Sequence, residues 1–123
     1  MGDLPTGAQA AVPVARPFLT DADSFAFIAR DAAPVGCLAA RVGPASVGWS
    51  PQRVGHIVCC WVEPEARRLG AGARLTAAAE AEFRARGVAL AELAFVAGNP
   101  EAEAVWRELG YEPHRVFSVK SLS

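Results

Sequence analysis

The apolar positions along the chain follow two different periods, one typical of strands and one typical of helices. Residues 25–30, 35–42 and 54–62 are short apolar runs bounded by Asp, Gly or Pro, which predicts three strands, the first two forming a hairpin. The run at 54–62 is almost continuously apolar, as expected for a central strand that is covered on both faces. Two further strands are predicted at 88–96 and 111–122.

Helical spacing appears twice between these strands. Leu75, Ala79 and Phe83 recur at every fourth residue among polar neighbours, which predicts an amphipathic helix over about 72–86. A second helix is predicted over 100–109, because it opens with a proline, which is tolerated in the first helical turn. A hairpin followed by strand–helix–strand predicts an α/β (α+β) fold with a mixed sheet and helices packed on it.

Length and composition narrow the class of protein. The 123 residues predict one domain at 18–123, preceded by a flexible arm at 1–17 that contains three prolines and ends in a short edge strand. The net charge of −1 argues against nucleic acid or an anionic membrane as a partner. No apolar run reaches the roughly 20 residues that span a bilayer, and no signal-peptide pattern begins the chain, so we expect a cytoplasmic protein.

The three cysteines do not form a recognisable framework. Their number is odd and two of them, Cys59 and Cys60, are adjacent, which argues against paired disulfides. Adjacent cysteines in an apolar run are more simply explained as small strand residues on opposite faces than as metal ligands. We therefore expect no metal site.

The stretch at 62–73 carries the most specific chemical signal. Gly70 and Gly72 allow a tight turn and a close approach of the backbone to a ligand. A helix is predicted to begin next, and its first N–H groups and its dipole favour an anion. Arg67 and Arg68 add positive charge, so this turn is expected to bind a pyrophosphate.

Of three known kinds of phosphate-binding loop, this stretch matches the pattern of one. A P-loop needs Lys followed by Ser or Thr after its last glycine, whereas alanine and arginine stand here. A dinucleotide-binding turn needs a third glycine where Leu75 stands. The pattern Arg/Gln-x-x-Gly-x-Gly/Ala is satisfied at each fixed position, by Arg67, Gly70 and Gly72.

That pattern and its surroundings resemble the GNAT superfamily of acyl-CoA N-acyltransferases over about residues 53–122. Val62-Glu63-Pro64-Glu65 lies just upstream of the loop, and downstream Asn99 precedes a helix that leads to Trp106 and Gly110-Tyr111. The resemblance implies the GNAT fold, with a mixed, mostly antiparallel sheet. It also implies acetyl-CoA as co-substrate and direct attack by a primary amine of a small molecule, peptide or protein.

The resemblance further implies which residues hold the cofactor. Backbone groups near Trp61 and Val62 would bind the pantetheine amides, and an N–H there would polarise the thioester carbonyl. Backbone N–H groups of residues 68–73 would hold the pyrophosphate, and Asn99 would contact the arm. The implied cofactor-binding residues are Trp61, Val62, Arg67, Arg68, Leu69, Gly70, Ala71, Gly72, Ala73, Asn99 and Trp106.

Two positions depart from the family pattern. His56 stands six residues before Val62, where many relatives carry a carboxylate, so His56 is the candidate base; the alternative is a strand histidine hydrogen-bonded within the sheet. Trp106 stands where relatives usually have the tyrosine that protonates the leaving thiolate, and an indole N–H cannot do this. The alternative function is therefore a non-catalytic acyl-CoA-binding sensor or subunit.

The segment before the hairpin is also shorter than in relatives, which usually carry a strand and two helices there. Only residues 1–24 precede Phe25. We expect a minimal member of the family, an acceptor wall supplied by a second copy in a homodimer, or a start that lies further upstream.

Overall fold

The computed structural model describes residues 12–13, 22–95, 100–116 and 118–123. The chain forms two compact units, Met1–Leu93 and Ala94–Ser123. The first unit contains a sheet and one long helix, and the second contains one shorter helix. The division into an arm at 1–17 and one domain at 18–123 stays a prediction.

The sheet of the first unit has five strands in the described residues, and they lie side by side in chain order. Neighbouring strands are antiparallel except for the last pair, which is parallel. The predicted mixed, mostly antiparallel sheet is confirmed. The strands are β1 (Val12–Pro13), β2 (Ser24–Asp31), β3 (Ala33–Pro44), β4 (Arg53–Val62) and β5 (Ala91–Glu92).

The hairpin of β2 and β3 forms where the sequence predicts it. Asp31 pairs with Ala33, so Ala32 alone makes the tip, and its φ of 66° lies in the left-handed region. Both strands are longer than predicted, because their pairing extends from Ser24 to Asp31 on β2 and β3 continues to pair with β4 as far as Pro44. β1 adds an edge by pairing with Phe27 and Ile28 of β2, as the sequence suggested for the end of the arm.

The long helix, α1 (Ala71–Ala85), packs its apolar stripe on one face of this sheet. Leu75, Ala79 and Phe83 are at most 2% exposed, which confirms the predicted stripe. Phe83 lies edge-on to Phe25 at 5.5 Å between ring centroids and directly over Gly55. This contact fixes the C-terminal end of α1 over the start of β4.

The second unit contains the helix α2 (Pro100–Glu108), in agreement with the sequence. The strand predicted at 111–122 is wrong for the residues described there, which form no strand. Val116, Val119 and Leu122 are 83% or more exposed. Their spacing favours a strand, but a strand also needs a hydrogen-bonding neighbour. Across the described parts of both units, every helix is too short or too polar to cross a bilayer.

Candidate active site

The loop between β4 and α1 has a geometry that depends on Gly70. After β4 ends at Val62, residues Pro64–Leu69 form a short 3-10 helix that sequence analysis did not predict. Gly70 then has φ 82° and ψ 13°, a left-handed conformation that strains any residue with a Cβ. The backbone reverses there and enters α1 at Ala71.

Gly72 is different, because the fold does not require a glycine there. A Cβ added at Gly72 would meet the Val62 Cγ2 atom at 3.7 Å, an ordinary contact. Packing within the protein therefore leaves room for a side chain at this position. A glycine that packing does not demand is expected where a ligand approaches the backbone closely.

The N-terminus of α1 offers unpaired donors. The first intrahelical hydrogen bond runs from the Arg74 N–H to the Gly70 carbonyl at 3.0 Å, so the N–H groups of residues 71–73 precede the helical ladder. No side chain caps this end of α1, and its first turn contains no acidic residue. The positive end of the helix dipole is left for an external anion.

Arg67 adds a cation beside this end of the helix. Its Nε donates a hydrogen bond to the Val62 carbonyl at 2.9 Å, which folds the side chain back over the end of β4. The side chain remains exposed, so its terminal N–H groups are accessible to a ligand. The backbone at Arg68 lies in the 3-10 helix, and the Leu69 side chain is 55% exposed.

β4 and β5 are paired over only a short stretch. Gly55 pairs with Ala91 and His56 pairs with Glu92, and the Gly55 N–H donates to the Leu90 carbonyl at 2.8 Å. Residues 93–95, predicted as part of a strand, carry no strand pairing. Within the described part of the first unit, β4 therefore has an open edge from Ile57 onward.

A bulge at Val58 decides which main-chain groups face that open edge. Ala40 pairs with Ile57 and Ala39 with Cys59, so Val58 has no partner in the register. The Glu63 N–H donates to the Val35 carbonyl at 2.8 Å, toward β3. Main-chain groups alternate in direction along a strand.

The same alternation gives the direction of the main-chain groups of Trp61, Val62 and Cys60. Trp61 lies two residues before Glu63, so its main-chain groups also face β3, where Cys37 is its partner. Val62 and Cys60 direct their N–H groups to the open edge. The cofactor contacts predicted near Trp61 and Val62 stay predictions. The Trp61 side chain is 51% exposed.

The cysteines at this edge do not resemble a reactive or metal-binding group. Burial, and then the neighbouring thiols of Cys37 and Cys59, raise the pKa of Cys60 to about 11, so it stays a neutral thiol at physiological pH. Cys59 is exposed. Among the described residues, no three His, Cys, Asp or Glu side chains are grouped so as to hold a metal ion.

His56 lies at the point where β4 and β5 part, and it is 7% exposed. Its Nε2 lies 2.8 Å from the Pro44 carbonyl oxygen, and its Nδ1 lies 3.0 Å from Glu92 Oε2. Both neighbours are hydrogen-bond acceptors, so each ring nitrogen of His56 lies within hydrogen-bonding distance of one acceptor.

Sequence reasoning missed Glu92, the partner of His56. Its carboxylate accepts hydrogen bonds from the Ser46 N–H at 2.9 Å and from Trp49 Nε1 at 2.7 Å, and the Ser46 hydroxyl also donates to it. Desolvation alone would raise the pKa of Glu92, but the donors Ser46 and Trp49 and the charge of His56 outweigh it and lower this pKa. One signal was present, because Glu92 is the only charged residue in the apolar run 88–96.

Two predicted contact residues belong to the other part of the chain. Asn99 lies outside the described residues. Trp106 lies on α2, where its ring meets Tyr111 edge-on at 5.7 Å between centroids, and the Tyr111 N–H donates to the Trp106 carbonyl at 2.9 Å. Within its own unit, Trp106 therefore has a packing role. Its contact with a cofactor stays a prediction.

A cavity of about 740 Å³ lies elsewhere in the first unit, beside the start of β4. It is lined by Asp23, Arg53 and Arg86 among others. Arg53 pairs with Asp23 at 3.2 Å, and Arg86 pairs with Glu82 at 2.8 Å. The glycine loop follows the opposite end of β4, so this cavity is not part of the candidate site.

Comparison with known proteins agrees with this geometry. The model of the acetyltransferase (GNAT) family matches residues 5–111. No curated protein sequence is similar enough to count as a relative. Solved structures with similar folds include the aminoglycoside acetyltransferase AAC(6')-Iy in complex with a CoA bisubstrate analogue, with 21% identity and a TM-score of 0.75 over 85% of this chain and 74% of that chain.

Two other solved structures resemble the fold of this chain to a similar degree. The aminoglycoside 6'-N-acetyltransferase AAC(6')-Ih from Acinetobacter baumannii has 21% identity and a TM-score of 0.72 over 83% of this chain and 72% of that one. A transcriptional regulator from Bacillus halodurans has 21% identity and a TM-score of 0.70 over 83% and 69%. At this level of identity the likeness concerns the fold, whereas the family match spans most of the chain. The protein belongs to the GNAT acetyltransferase family.

Proposed function

We propose that this protein transfers an acetyl group from acetyl-CoA to a primary amine of a small molecule, peptide or protein. The observation that carries the proposal is the continuity of two features. The open edge of β4 is followed, after the 3-10 helix at Pro64–Leu69, by a glycine turn and an uncapped helix N-terminus. An extended amide-containing arm that ends in a pyrophosphate matches this sequence of donors.

The phosphate end of the ligand is assigned to the loop. The N–H groups of residues 68–73 surround the turn at Gly70, and Gly72 leaves the backbone of the first helical turn uncovered. Arg67 supplies an exposed guanidinium beside them. Charge-assisted hydrogen bonds of this kind are roughly twice as strong as neutral ones.

The pantetheine arm is assigned to the edge of β4. The N–H groups of Val62 and Cys60 are directed to that edge, so an amide-containing arm would pair there as an added strand does. An N–H at this edge would also stabilise the charge that develops on the thioester oxygen. Asn99 and Trp106 remain proposed contacts of the arm.

The chemistry requires a neutral amine. An alkyl ammonium has a pKa of about 10.4, so a base or a water chain must remove one proton at neutral pH. His56 is the proposed base, because it lies where the two strands part. The amine then attacks the thioester carbon, the C–N bond forms and the C–S bond breaks. CoA leaves as a thiolate and takes up, through solvent, one of the two protons left on the nitrogen, while the other stays on the acetamide.

Acetyl-CoA binding is the first test. Calorimetry on the wild-type protein is expected to show binding, and the double variant Arg67→Ala/Gly70→Ala is expected to weaken it at least tenfold. The matched control is Arg84→Ala/Gly87→Ala, which makes the same two changes at the other end of α1. Arg84 is an exposed arginine, and Gly87 also has a left-handed φ, of 80°. The control is expected to bind within twofold of wild type.

Each outcome of that experiment has a clear meaning. A folded wild-type protein that binds no acetyl-CoA contradicts the proposal, as does an equal loss of binding in the two double variants. Where binding is found, release of free CoA thiol should be followed with a panel of primary amines. Aminoglycosides come first in that panel, because the structures AAC(6')-Iy and AAC(6')-Ih are aminoglycoside acetyltransferases.

A second candidate function is a non-catalytic acyl-CoA sensor or subunit. Trp106 favours it, because an indole cannot protonate the leaving thiolate. The tight pairing of both ring nitrogens of His56 favours it as well. Binding of acetyl-CoA with no amine-dependent CoA release across the panel would support this function over catalysis.

A further inference from the structure

Glu92 is the most heavily hydrogen-bonded carboxylate at the point where β4 and β5 part. It accepts from the backbone and hydroxyl of Ser46, from the indole N–H of Trp49 and from Nδ1 of His56. Ser46 and Trp49 belong to the segment that connects β3 to β4. Glu92 therefore joins three elements of the first unit, and its side chain is only 17% exposed.

This environment holds the carboxylate in its ionised form. The donors from Ser46 and Trp49 favour the charged state. They also fix Oε1, because the Ser46 N–H and the Trp49 indole converge on that atom. The other oxygen, Oε2, is thereby directed at His56 Nδ1.

Besides Glu92, charged and polar groups of β3 lie close to His56. Arg41 of β3 is the register partner of His56. The Arg41 Nη1 and His56 Nε2 atoms lie 3.0 and 3.9 Å from the point where a Cβ on Gly43 would stand. The Arg41 guanidinium and the His56 imidazole are therefore neighbours on the same face, and Glu92 is the carboxylate that pairs with His56. The Pro44 carbonyl, at the end of β3, lies on the other side of the imidazole, 2.8 Å from Nε2.

We propose that Glu92 is a positioning residue that fixes the proton on Nδ1 of His56 and so makes Nε2 the nitrogen that gains and loses the catalytic proton. This proposal rests on the proposed function and extends it to a residue outside the acyl-CoA loop. A carboxylate that holds one nitrogen of a catalytic histidine is a recurring arrangement in enzymes. Here Ser46 and Trp49 hold the carboxylate in turn.

Neutral His56, with its proton on Nδ1 beside Glu92, has no N–H for the Pro44 carbonyl, so Nε2 and that oxygen separate and admit the acceptor ammonium or one water molecule between them. Nε2 then takes a proton from the ammonium, directly or through that water. The imidazolium formed in this way can donate from Nε2 to the Pro44 carbonyl, the oxygen that lies 2.8 Å from Nε2 in the structure. His56 later returns this proton to solvent, so each acetyl transfer releases one proton, an acetamide and CoA thiol.

The first test reads the tautomer directly by nitrogen-detected NMR of the imidazole. The chain contains two histidines, so His114→Gln leaves His56 as the only signal. In the wild-type background, the proton that remains at high pH is expected on Nδ1. In Glu92→Gln it is expected on Nε2, facing the Pro44 carbonyl. A neutral His56 with its proton on Nε2 in the wild-type background overturns the proposal without any variant at Glu92.

The second test is kinetic. Glu92→Gln is expected to lower kcat at least tenfold, to leave acetyl-CoA affinity within twofold, and to move the acid limb of the kcat–pH profile down by about 1 unit, because removing a nearby anion disfavours the imidazolium. Glu92→Asp keeps the charge and should restore much of that limb. Glu80→Gln, on the outer face of α1, is the matched control.

The two proposals fail in different ways. Absence of acetyl-CoA binding by the folded wild-type protein overturns the proposed function. Unchanged kcat and an unmoved acid limb in a folded, acetyl-CoA-binding Glu92→Gln variant overturn the role of Glu92 alone. A purely structural role would lower the melting temperature of Glu92→Gln without moving the acid limb.

Discussion

Gly55 and Phe83 provide a sensitive test of how α1 is held on the sheet. A Cβ at Gly55 would stand 2.5–2.6 Å from three ring carbons of Phe83. Phe83 is 2% exposed and is held from another side by Phe25 at 5.5 Å. Because the ring is rigid and enclosed, Gly55→Ala requires a shift of α1 or of the β4 backbone.

The expected cost is near the upper end of that for overpacking. Overpacked cores lose about 1–3 kcal/mol, and the rigid ring places Gly55→Ala at about 3 kcal/mol of unfolding free energy. For a chain of this size, that loss corresponds to a melting temperature lower by roughly 10 °C. Urea denaturation followed by circular dichroism measures the free energy, and an unchanged m-value would show that the unfolding transition is otherwise the same.

A double-mutant cycle identifies the contact responsible. Phe83→Leu removes the ring edge that the new methyl group would meet, so Gly55→Ala/Phe83→Leu is expected to cost at least about 1 kcal/mol less than the sum of the single variants. Gly48→Ala is the control partner, since a Cβ there meets nothing within 4 Å. The free-energy cost of Gly48→Ala should add to that of Phe83→Leu, with no coupling energy between the two substitutions. A neutral Gly55→Ala, or an additive cycle with Phe83→Leu, would show that the Phe83 ring does not limit the space at Gly55.

Two further predictions concern titrating groups. The pKa of Glu92 is lowered in the folded protein, so its contribution to stability is full above its ordinary value of about 4.5 and is lost as pH falls below that value. The stability difference between wild type and Glu92→Gln, measured in urea, should therefore shrink between pH 6 and pH 3, and a difference that grows would contradict it. The pKa of Cys60 is about 11 against an ordinary 9.0, so its thiolate fraction at pH 8 is about a hundredfold below that of the unfolded chain. Iodoacetamide labelling with mass spectrometry should modify the exposed Cys59 first and Cys60 quickly only in urea; equal native rates would be inconsistent with this.

The elements that local pattern determines were predictable from the sequence. The hairpin at β2 and β3, the apolar strand β4 and the stripe on α1 each depend on side chains that repeat with the period of their own element. The glycine turn was also predictable, because Gly70 occupies a conformation that few other residues adopt. These features need no knowledge of distant neighbours.

The features that sequence reasoning missed depend on long-range pairing. The carboxylate of Glu92 meets Ser46 and Trp49, which lie more than 40 residues earlier in the chain. Whether 111–122 forms a strand depends on a neighbour that no local pattern specifies. The main-chain direction of Trp61 depends on the bulge, and an apolar run gives no sign of where a bulge occurs.

Val58, which has no partner in the register, determines which residues of β4 share a face of the sheet. Gly55 and Ile57 before it, and Cys60 and Val62 after it, belong to one face, although counting by twos from Gly55 would select Cys59 and Trp61 instead. On each side of Val58, the residues of β4 pair regularly with those of β3. Inserting or deleting one residue at Val58 would therefore leave the pairing on both sides of it unchanged. The same change elsewhere in β4 would move the side chains of half the strand to the opposite face of the sheet. Val58 is thus the position at which β4 can lose a residue while Cys60 and Val62 keep their direction toward the open edge.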